Sequence, residues 1–247
     1  MDKKEIIWGI HSIEEGLEKN ISFFKVFVNK NSMNHKINSI IKTLKRNDIP
    51  VQKVPVEKLN RFTHKNHQGI VAIISPIEFQ KIEDLIPIWY ERGIQPFILI
   101  LDGVSDVRNF GAIVRSAVCL NANAIVIPSS GSASITSDMI KTSAGAIFKI
   151  PICRTTSLYH TIKYLKKSGL QIYAATEKGS IYTHQADFTS PTAVILGDEG
   201  KGISQQLLKL SDFLVKIPMT DAFDSLNVSI SAGIILYEAF IQRNSPK

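Results

Sequence analysis

The stretch FILILDGVSDVRNFGAIVR, residues 97–115, joins a continuous apolar run to a helical pattern through a short polar loop. Phe97–Leu101 contains only large apolar side chains, which is typical of a strand buried on both faces of a parallel sheet. A helix is predicted to begin near Asn109, whose side-chain oxygen is suited to cap it. The stretch therefore predicts one strand–loop–helix unit of an α/β domain.

The same alternation of strand, turn and helix continues to the end of the chain. Four further apolar strand candidates alternate with helical patterns, and a last helix is predicted from about Val228 to Arg243. This alternation predicts an α/β fold with a mostly parallel sheet covered by helices on both faces. The further strand candidates are Ala124–Ile127, Gln171–Ala175, Thr192–Leu196 and Phe213–Ile217.

Residues 1–76 show a second, smaller α/β pattern. Lys25–Asn29, Val51–Val54 and Gly69–Ile74 are predicted strands, and a predicted helix between the first two has an apolar face and a basic face. Residues 77–96 have helical spacing and are interpreted as a linker, so the predicted domains are 1–76 and 97–247. The basic face of the helix carries His35, Lys36, Lys42, Lys45 and Arg46.

The net charge of +7 is concentrated in the first domain. Residues 1–76 contain 13 Lys and Arg against 7 Asp and Glu, a net charge of +6. This asymmetry favours a polyanion-binding domain beside a nearly neutral body, although a solvated lysine-rich surface would have the same composition. His64 and His67 lack a third metal ligand nearby, so we expect no metal site there.

Composition excludes disordered and fibrous proteins, and the sequence offers neither a membrane helix nor a secretory signal. Of the 247 residues, 44% are hydrophobic and 21% charged, which is ordinary globular usage. No apolar run approaches the ~20 residues of a membrane helix, and the start MDKKEIIWGIHS lacks the apolar core of a secretory signal. We therefore expect a cytoplasmic protein. Cys119 and Cys153 have no C-x-x-C spacing and are predicted to be reduced core residues.

Unusual polar residues follow three of the predicted strands, where ligands bind in open α/β sheets. The first cluster is residues 102–115, with Asn109 and Arg115, and the second is GDEGKG at 197–202. The third, IPMTDAFDSLNVSISAG at 217–233, places Ser225 and Asn227 just before the last helix, whose free N–H groups attract anions. Taken singly, each cluster is also compatible with an ordinary helix cap or tight turn.

The order of the glycines in the second cluster bears on the class of ligand. G-x-x-G-x-G is neither the dinucleotide-binding order G-x-G-x-x-G nor a P-loop, because Ile203 stands where a P-loop has lysine. The pattern argues against a nucleotide-binding oxidoreductase or an NTPase. Both of these functions stay open as alternatives.

In combination, the three clusters resemble the motifs of the SpoU (TrmH-like) family of SPOUT methyltransferases. The shared patterns are N-x-G-x-x-x-R, then a strand followed by G-x-E-G-x-G, then I-P-M…S-L-N-V-S, and the resemblance spans residues 97–243. Trp8–His11 and His67–Val71 are similar to the RNA substrate-binding domain of that family. The resemblance implies a small L30e-like α/β RNA-binding domain and a C-terminal α/β-knot domain with a deep trefoil knot.

The resemblance also implies an activity, which is methyl transfer from S-adenosylmethionine to a ribose 2′-hydroxyl in RNA. The two-domain layout is most similar to members that methylate a guanosine in the P loop of 23S ribosomal RNA. Two alternatives stay open: a methyltransferase that acts on transfer RNA, and a relative that binds RNA without catalysis. The implied partners are RNA and a second copy of the chain, which would contact the helix at Ile234–Phe240, with no metal and no membrane.

Family resemblance assigns nine site residues. Arg115, whose guanidinium stays protonated, is expected to hold an RNA phosphate and to stabilise negative charge on the reacting oxygen. Glu199 is expected to hold the motif loops together, and Asn109 to orient Arg115 or the ribose. The implied catalytic residues are Asn109, Arg115, Glu199, Ser225 and Asn227, and the implied cofactor-binding residues are Thr176, Gly197, Ile217 and Leu226.

Overall fold

The computed structural model describes residues 5–133, 135, 137–220 and 222–244. The chain divides into two compact units, Met1–Glu78 and Phe79–Lys247.

Unit 1 is a four-stranded sheet with two helices packed on one face. The strand order is β1-β4-β2-β3, with β4 antiparallel to both neighbours and β2 parallel to β3. The three predicted strands are present, together with a short first strand that the sequence pattern did not reveal. In chain order the elements are β1 (Ile6–Trp8), α1 (Ile10–Glu18), β2 (Phe23–Asn29), α2 (His35–Arg46), β3 (Val51–Val54), α3 (Val56–Asn60) and β4 (Ile70–Ile74).

The two motifs of unit 1 meet at the start of α1. Gly9 has φ +86°, and the side-chain oxygen of Gln68 accepts a hydrogen bond of 2.9 Å from the N–H of Ile10. His67 accepts a hydrogen bond from the N–H of Gly69 through Nδ1 and contacts Asn60 Oδ1 through Nε2 at 2.9 Å. Both ring nitrogens of His67 are therefore engaged in holding the turn before β4.

Unit 2 contains a parallel sheet of seven strands among its described residues, in the order β7-β6-β5-β10-β8-β11-β9. The five predicted strands are present, and the predicted α/β class with a mostly parallel sheet is confirmed. Its elements are α4 (Ile82–Glu91), β5 (Phe97–Asp102), α5 (Val107–Cys119), β6 (Ala124–Pro128), α6 (Ser137–Thr142), β7 (Ile152–Thr155), α7 (Leu158–Lys167), β8 (Gln171–Ala175), β9 (Ile181–Tyr182), β10 (Thr192–Gly197), α8 (Gln205–Leu208), β11 (Phe213–Lys216) and α9 (Val228–Asn244).

The segment interpreted as a linker is built into unit 2. Ile82, Ile86 and Trp89 of α4 are buried in the same core cluster as the central strands. Cys153 is buried in that core, as predicted, but the prediction for Cys119 is wrong, because Cys119 ends α5 on an exposed position. No helix in the described part of the chain is long and apolar enough to span a membrane.

Candidate active site

The first cluster is organised by Asp106, which caps α5. Its carboxylate accepts hydrogen bonds from the N–H groups of Arg108 and Asn109, at 2.9 and 2.8 Å. The prediction that Asn109 caps this helix is therefore wrong. Because Asp106 caps the helix by accepting from two of the free N–H groups of the first turn, the side-chain amide of Asn109 is available for contacts outside the helix.

The amide of Asn109 joins a cluster with one residue from each of the other two motifs. Asn109 Nδ2 donates to Glu199 Oε1 at 2.9 Å, and Asn227 Nδ2 donates to the same oxygen and to Asn109 Oδ1, the latter at 3.1 Å. Asn227 also caps α9, because its Oδ1 accepts from the N–H of Ser229 at 2.9 Å. The structure thus links motifs that lie 90 and 118 residues apart in the chain.

Two aspartates that the sequence analysis did not select fix the loops around this cluster. Asp102, at the end of β5, accepts a hydrogen bond from the N–H of Ser204, and its carbonyl accepts one from the N–H of Asp198. The carboxylate of Asp198 accepts from the N–H groups of Gly200 and Lys201. An Asp at the end of a strand before a glycine turn is a usable signal, since such side chains bond to nearby backbone.

A cavity of about 920 Å³ opens beside the carboxyl ends of β8, β10 and β11. Its lining includes all four residues that the resemblance assigns to the cofactor, and also Glu199 and Ser225. Apolar walls come from residues such as Ile203 and Val215, as is usual for sites that hold a small organic ligand. The four residues are Thr176, Gly197, Ile217 and Leu226.

Gly197 is required by the close return of the chain after β10. A Cβ at this position would lie 2.2 Å from the carbonyl carbon of Gly202 and 2.4 Å from the nitrogen of Ile203. Any side chain would force the 197–202 loop to move, so glycine permits the loop to close against the end of its own strand. The loop in turn positions Glu199.

Among the described residues, two of the five assigned to catalysis have no hydrogen bond to the Asn109–Glu199–Asn227 cluster: Ser225, which lines the cavity, and Arg115 on α5. Asn109 and Arg115 are six residues apart, about 240° around the helix, so their side chains leave α5 on different faces. Arg115 is exposed, and its guanidinium has no hydrogen-bonding or ionic partner among the described residues. It is therefore available to an external anion such as a phosphate.

Comparison with known proteins identifies the family. The sequence profile of the SpoU rRNA Methylase family matches residues 96–237, and the profile for RNA 2′-O ribose methyltransferase substrate binding matches residues 6–80. The chain belongs to the SpoU methyltransferase family. It is 32% identical over 240 residues to a protein of Bacillus subtilis named as a TrmH family tRNA/rRNA methyltransferase, covering 97% of this chain and 96% of that protein.

Two solved structures show the same fold. An AdoMet-bound rRNA methyltransferase from Sinorhizobium meliloti is 22% identical with a TM-score of 0.60, covering 98% of this chain and 88% of that chain. A TrmH/SpoU tRNA modifying enzyme from A. aeolicus is 28% identical with a TM-score of 0.56, covering 66% of this chain and 84% of that chain.

This SpoU family member is an RNA 2′-O-ribose methyltransferase that uses S-adenosylmethionine. The cavity fits that cofactor in size and chemistry. Its lining combines apolar side chains such as Ile203 and Val215 with the strand ends and the glycine loop, and a cofactor with an adenine ring would need both apolar surface and nearby polar groups. No group of three or more His, Cys, Asp or Glu within the described ranges is arranged to hold a metal ion.

Proposed function

We propose that this enzyme methylates the 2′-hydroxyl of a guanosine in the P loop of 23S ribosomal RNA, in the cytoplasm. The observation that carries the site assignment is the Asn109–Glu199–Asn227 cluster, because Glu199 belongs both to this cluster and to the lining of the cavity. The acceptor ribose would bind where the cluster meets the cavity, beside Ser225.

The choice of ribosomal RNA over transfer RNA is supported by the fraction of this chain that aligns with a solved enzyme of each kind. The Sinorhizobium rRNA methyltransferase aligns with 98% of this chain, and the A. aeolicus tRNA modifying enzyme with 66%. Unit 1, which matches the substrate-binding profile, carries the excess positive charge expected of a domain that contacts phosphates.

The residues of the cluster would align the acceptor, not activate it by strong base catalysis. S-adenosylmethionine supplies an electrophilic methyl group when bound, so the protein must place the 2′-oxygen in line with it and assist loss of the proton. Asn109 and Asn227 are held by Glu199, and their amides would orient the ribose. Arg115 would bind the adjacent phosphate and stabilise negative charge on the oxygen, with a phosphate oxygen or water taking the proton.

We also propose that the enzyme is a homodimer formed through α9. This helix buries Ile235 and Leu236 in its own unit, but it also exposes a stripe of large apolar side chains at helical spacing. Two apolar faces on one helix require two partners, and a second copy is the partner that we propose. The stripe consists of Ile230, Ile234, Tyr237 and Ile241, which are 36–59% exposed.

The decisive experiment is methyl transfer in vitro. The purified enzyme is incubated with labelled S-adenosylmethionine and either a 23S P-loop fragment or unmodified tRNA, and ribose methylation is mapped. We expect one 2′-O-methylguanosine in the P-loop fragment and no label with Asn227→Ala. Label found only in tRNA would show that tRNA, and not 23S ribosomal RNA, is the substrate. Calorimetry that shows binding of NAD or ATP and no binding of S-adenosylmethionine would overturn the site assignment.

A further inference from the structure

The sheet of unit 1 has a second face, on the side away from α1 and α2, that carries aromatic side chains in a row. Trp8 on β1 and Phe27 on β2 both pair with Val71 on β4, so their side chains lie on one face across three strands. Phe62 packs on Phe27, with ring centroids 4.8 Å apart and an interplanar angle of 30°. Trp8 and Phe62 remain half-buried.

Lysine side chains lie over these rings. The Nζ atom of Lys65 is 5.3 Å from the Trp8 ring centroid, and those of Lys58 and Lys25 are 5.6 and 5.4 Å from that of Phe27. Lys58 and Lys65 are exposed. We call Trp8, Phe27 and Phe62 with these three lysines the lysine–aromatic face.

Unit 1 has another basic surface that differs in one respect. The outer side of α2 exposes Lys36, Lys42, Lys45 and Arg46, yet α2 contains no Phe, Tyr or Trp. The α2 surface therefore offers charge alone. The lysine–aromatic face offers charge together with rings on which a base can stack, the combination that proteins binding single-stranded nucleic acid use.

We propose that the lysine–aromatic face binds an unpaired segment of the RNA substrate, with bases stacking on Trp8 and Phe62 and with Lys58 and Lys65 contacting phosphates. The proposal rests on the proposed function of unit 1 and names the surface that performs it. Exposed cation–π contacts are weak and lysine stems are flexible, so both ammonium groups can move to phosphates as bases take their place. A duplex keeps its bases stacked on each other and gains little from the rings.

Binding of a labelled 20-nucleotide single-stranded RNA to the full-length protein, followed by fluorescence anisotropy, tests the proposal. Lys58→Ala/Lys65→Ala and Lys42→Ala/Lys45→Ala remove the same charge from the two surfaces. We expect the first pair to reduce the slope of log K against log salt by about 1.4, at roughly 0.7 per phosphate contact, and the second to leave it unchanged. Phe62→Leu should weaken binding about 5- to 160-fold, the range that corresponds to the loss of one stacked base.

A second readout reports stacking directly. The chain has two tryptophans, Trp8 and Trp89, and Trp89 is buried in unit 2. In Trp89→Phe the fluorescence comes from Trp8 alone, and we expect the single strand to quench it and the matching duplex not to. Trp8→Phe, which leaves Trp89 as the reporter, is the control and should show no quenching.

The outcomes separate this inference from the function on which it rests. Loss of affinity in Lys42→Ala/Lys45→Ala, with the other pair and Phe62→Leu unaffected, would overturn the lysine–aromatic face while leaving unit 1 as the RNA-binding unit. Equal effects of the two lysine pairs without quenching of Trp8 would also overturn it, because charge alone would account for binding. Unchanged melting temperature and S-adenosylmethionine affinity confirm that each variant is folded.

Discussion

Glu199 shows how one side chain connects the three motifs. A carboxylate only accepts hydrogen bonds, so a single oxygen of Glu199 can face the amide groups of both Asn109 and Asn227. The sequence resemblance selected all three residues. Glu199 was expected to hold the motif loops together, and its contacts do connect the second motif to the other two. The resemblance did not indicate that the bonds run between side chains, since such pairing depends on strand order.

Arg115 is predicted to be essential for methyl transfer and dispensable for folding. We expect Arg115→Ala to reduce the single-turnover rate about 10²- to 10⁴-fold, because a positioned charge on the reacting oxygen or its phosphate is lost. Arg115→Lys should recover little, since an ammonium group cannot form the bidentate contact. Both variants should bind S-adenosylmethionine normally. Turnover near the wild-type rate in Arg115→Ala would remove Arg115 from the mechanism.

The two cysteines are predicted to differ sharply in reactivity. Burial raises the pKa of the Cys153 thiol to about 12, so at pH 8 only roughly one part in 10⁴ is thiolate, whereas Cys119 is exposed. Reaction of the native protein with a thiol reagent should therefore modify one cysteine rapidly, and Cys119→Ser should abolish this phase. Rapid modification of Cys153 at pH 8 would contradict the packing of β7.

The turn after β10 is predicted to be intolerant of any side chain at Gly197. Gly197→Ala places a Cβ 2.2 Å from backbone of the same loop, so the loop must shift. We expect the dissociation constant for S-adenosylmethionine to rise at least about tenfold, as a loss of one or two hydrogen bonds would cause. Gly233→Ala, whose Cβ meets nothing within 4 Å, is the control and should bind normally.

The apolar stripe of α9 is predicted to hold two copies together. Light scattering of the wild-type enzyme at micromolar concentration should give twice the 27.5 kDa chain mass. Ile234→Asp and Tyr237→Asp should give the monomer mass, because each places a charge in an apolar contact. Met33→Asp, at a 92% exposed position of unit 1, should remain dimeric. A monomeric wild-type protein would contradict the proposal.

RNA affinity and cofactor affinity are predicted to reside in different units of the chain. A fragment of residues 79–247 should bind S-adenosylmethionine as the full chain does and lose most RNA affinity, with a smaller salt dependence. A fragment starting at Phe97 should fail to fold, because it lacks the buried side chains of Ile82, Ile86 and Trp89. If the 79–247 fragment bound RNA as tightly as the full chain, the positive charge of unit 1 would be only a solvated surface with no role in RNA binding.

The α/β class, the five central strands of unit 2 and the family could all be predicted from the sequence, because apolar periodicity and contiguous motifs are local properties. Three strands were not predicted: β7 has four residues, β9 has two, and β1 has three and is defined by its pairing with β4. The trefoil knot implied by the resemblance stays a prediction.

Which residues of the motifs meet depends on the order of the strands in the folded sheet. In the sheet, β10 lies between β5 and β8. In the chain, β10 comes after both of these strands, and β6 and β7 lie between β5 and β8. This insertion aligns Gly197 with Asp102 and brings Glu199 to Asn109 and Asn227, while Arg115 leaves α5 on another face. Strand order is set by the packing of faces far apart in sequence, and no local pattern of residues encodes it.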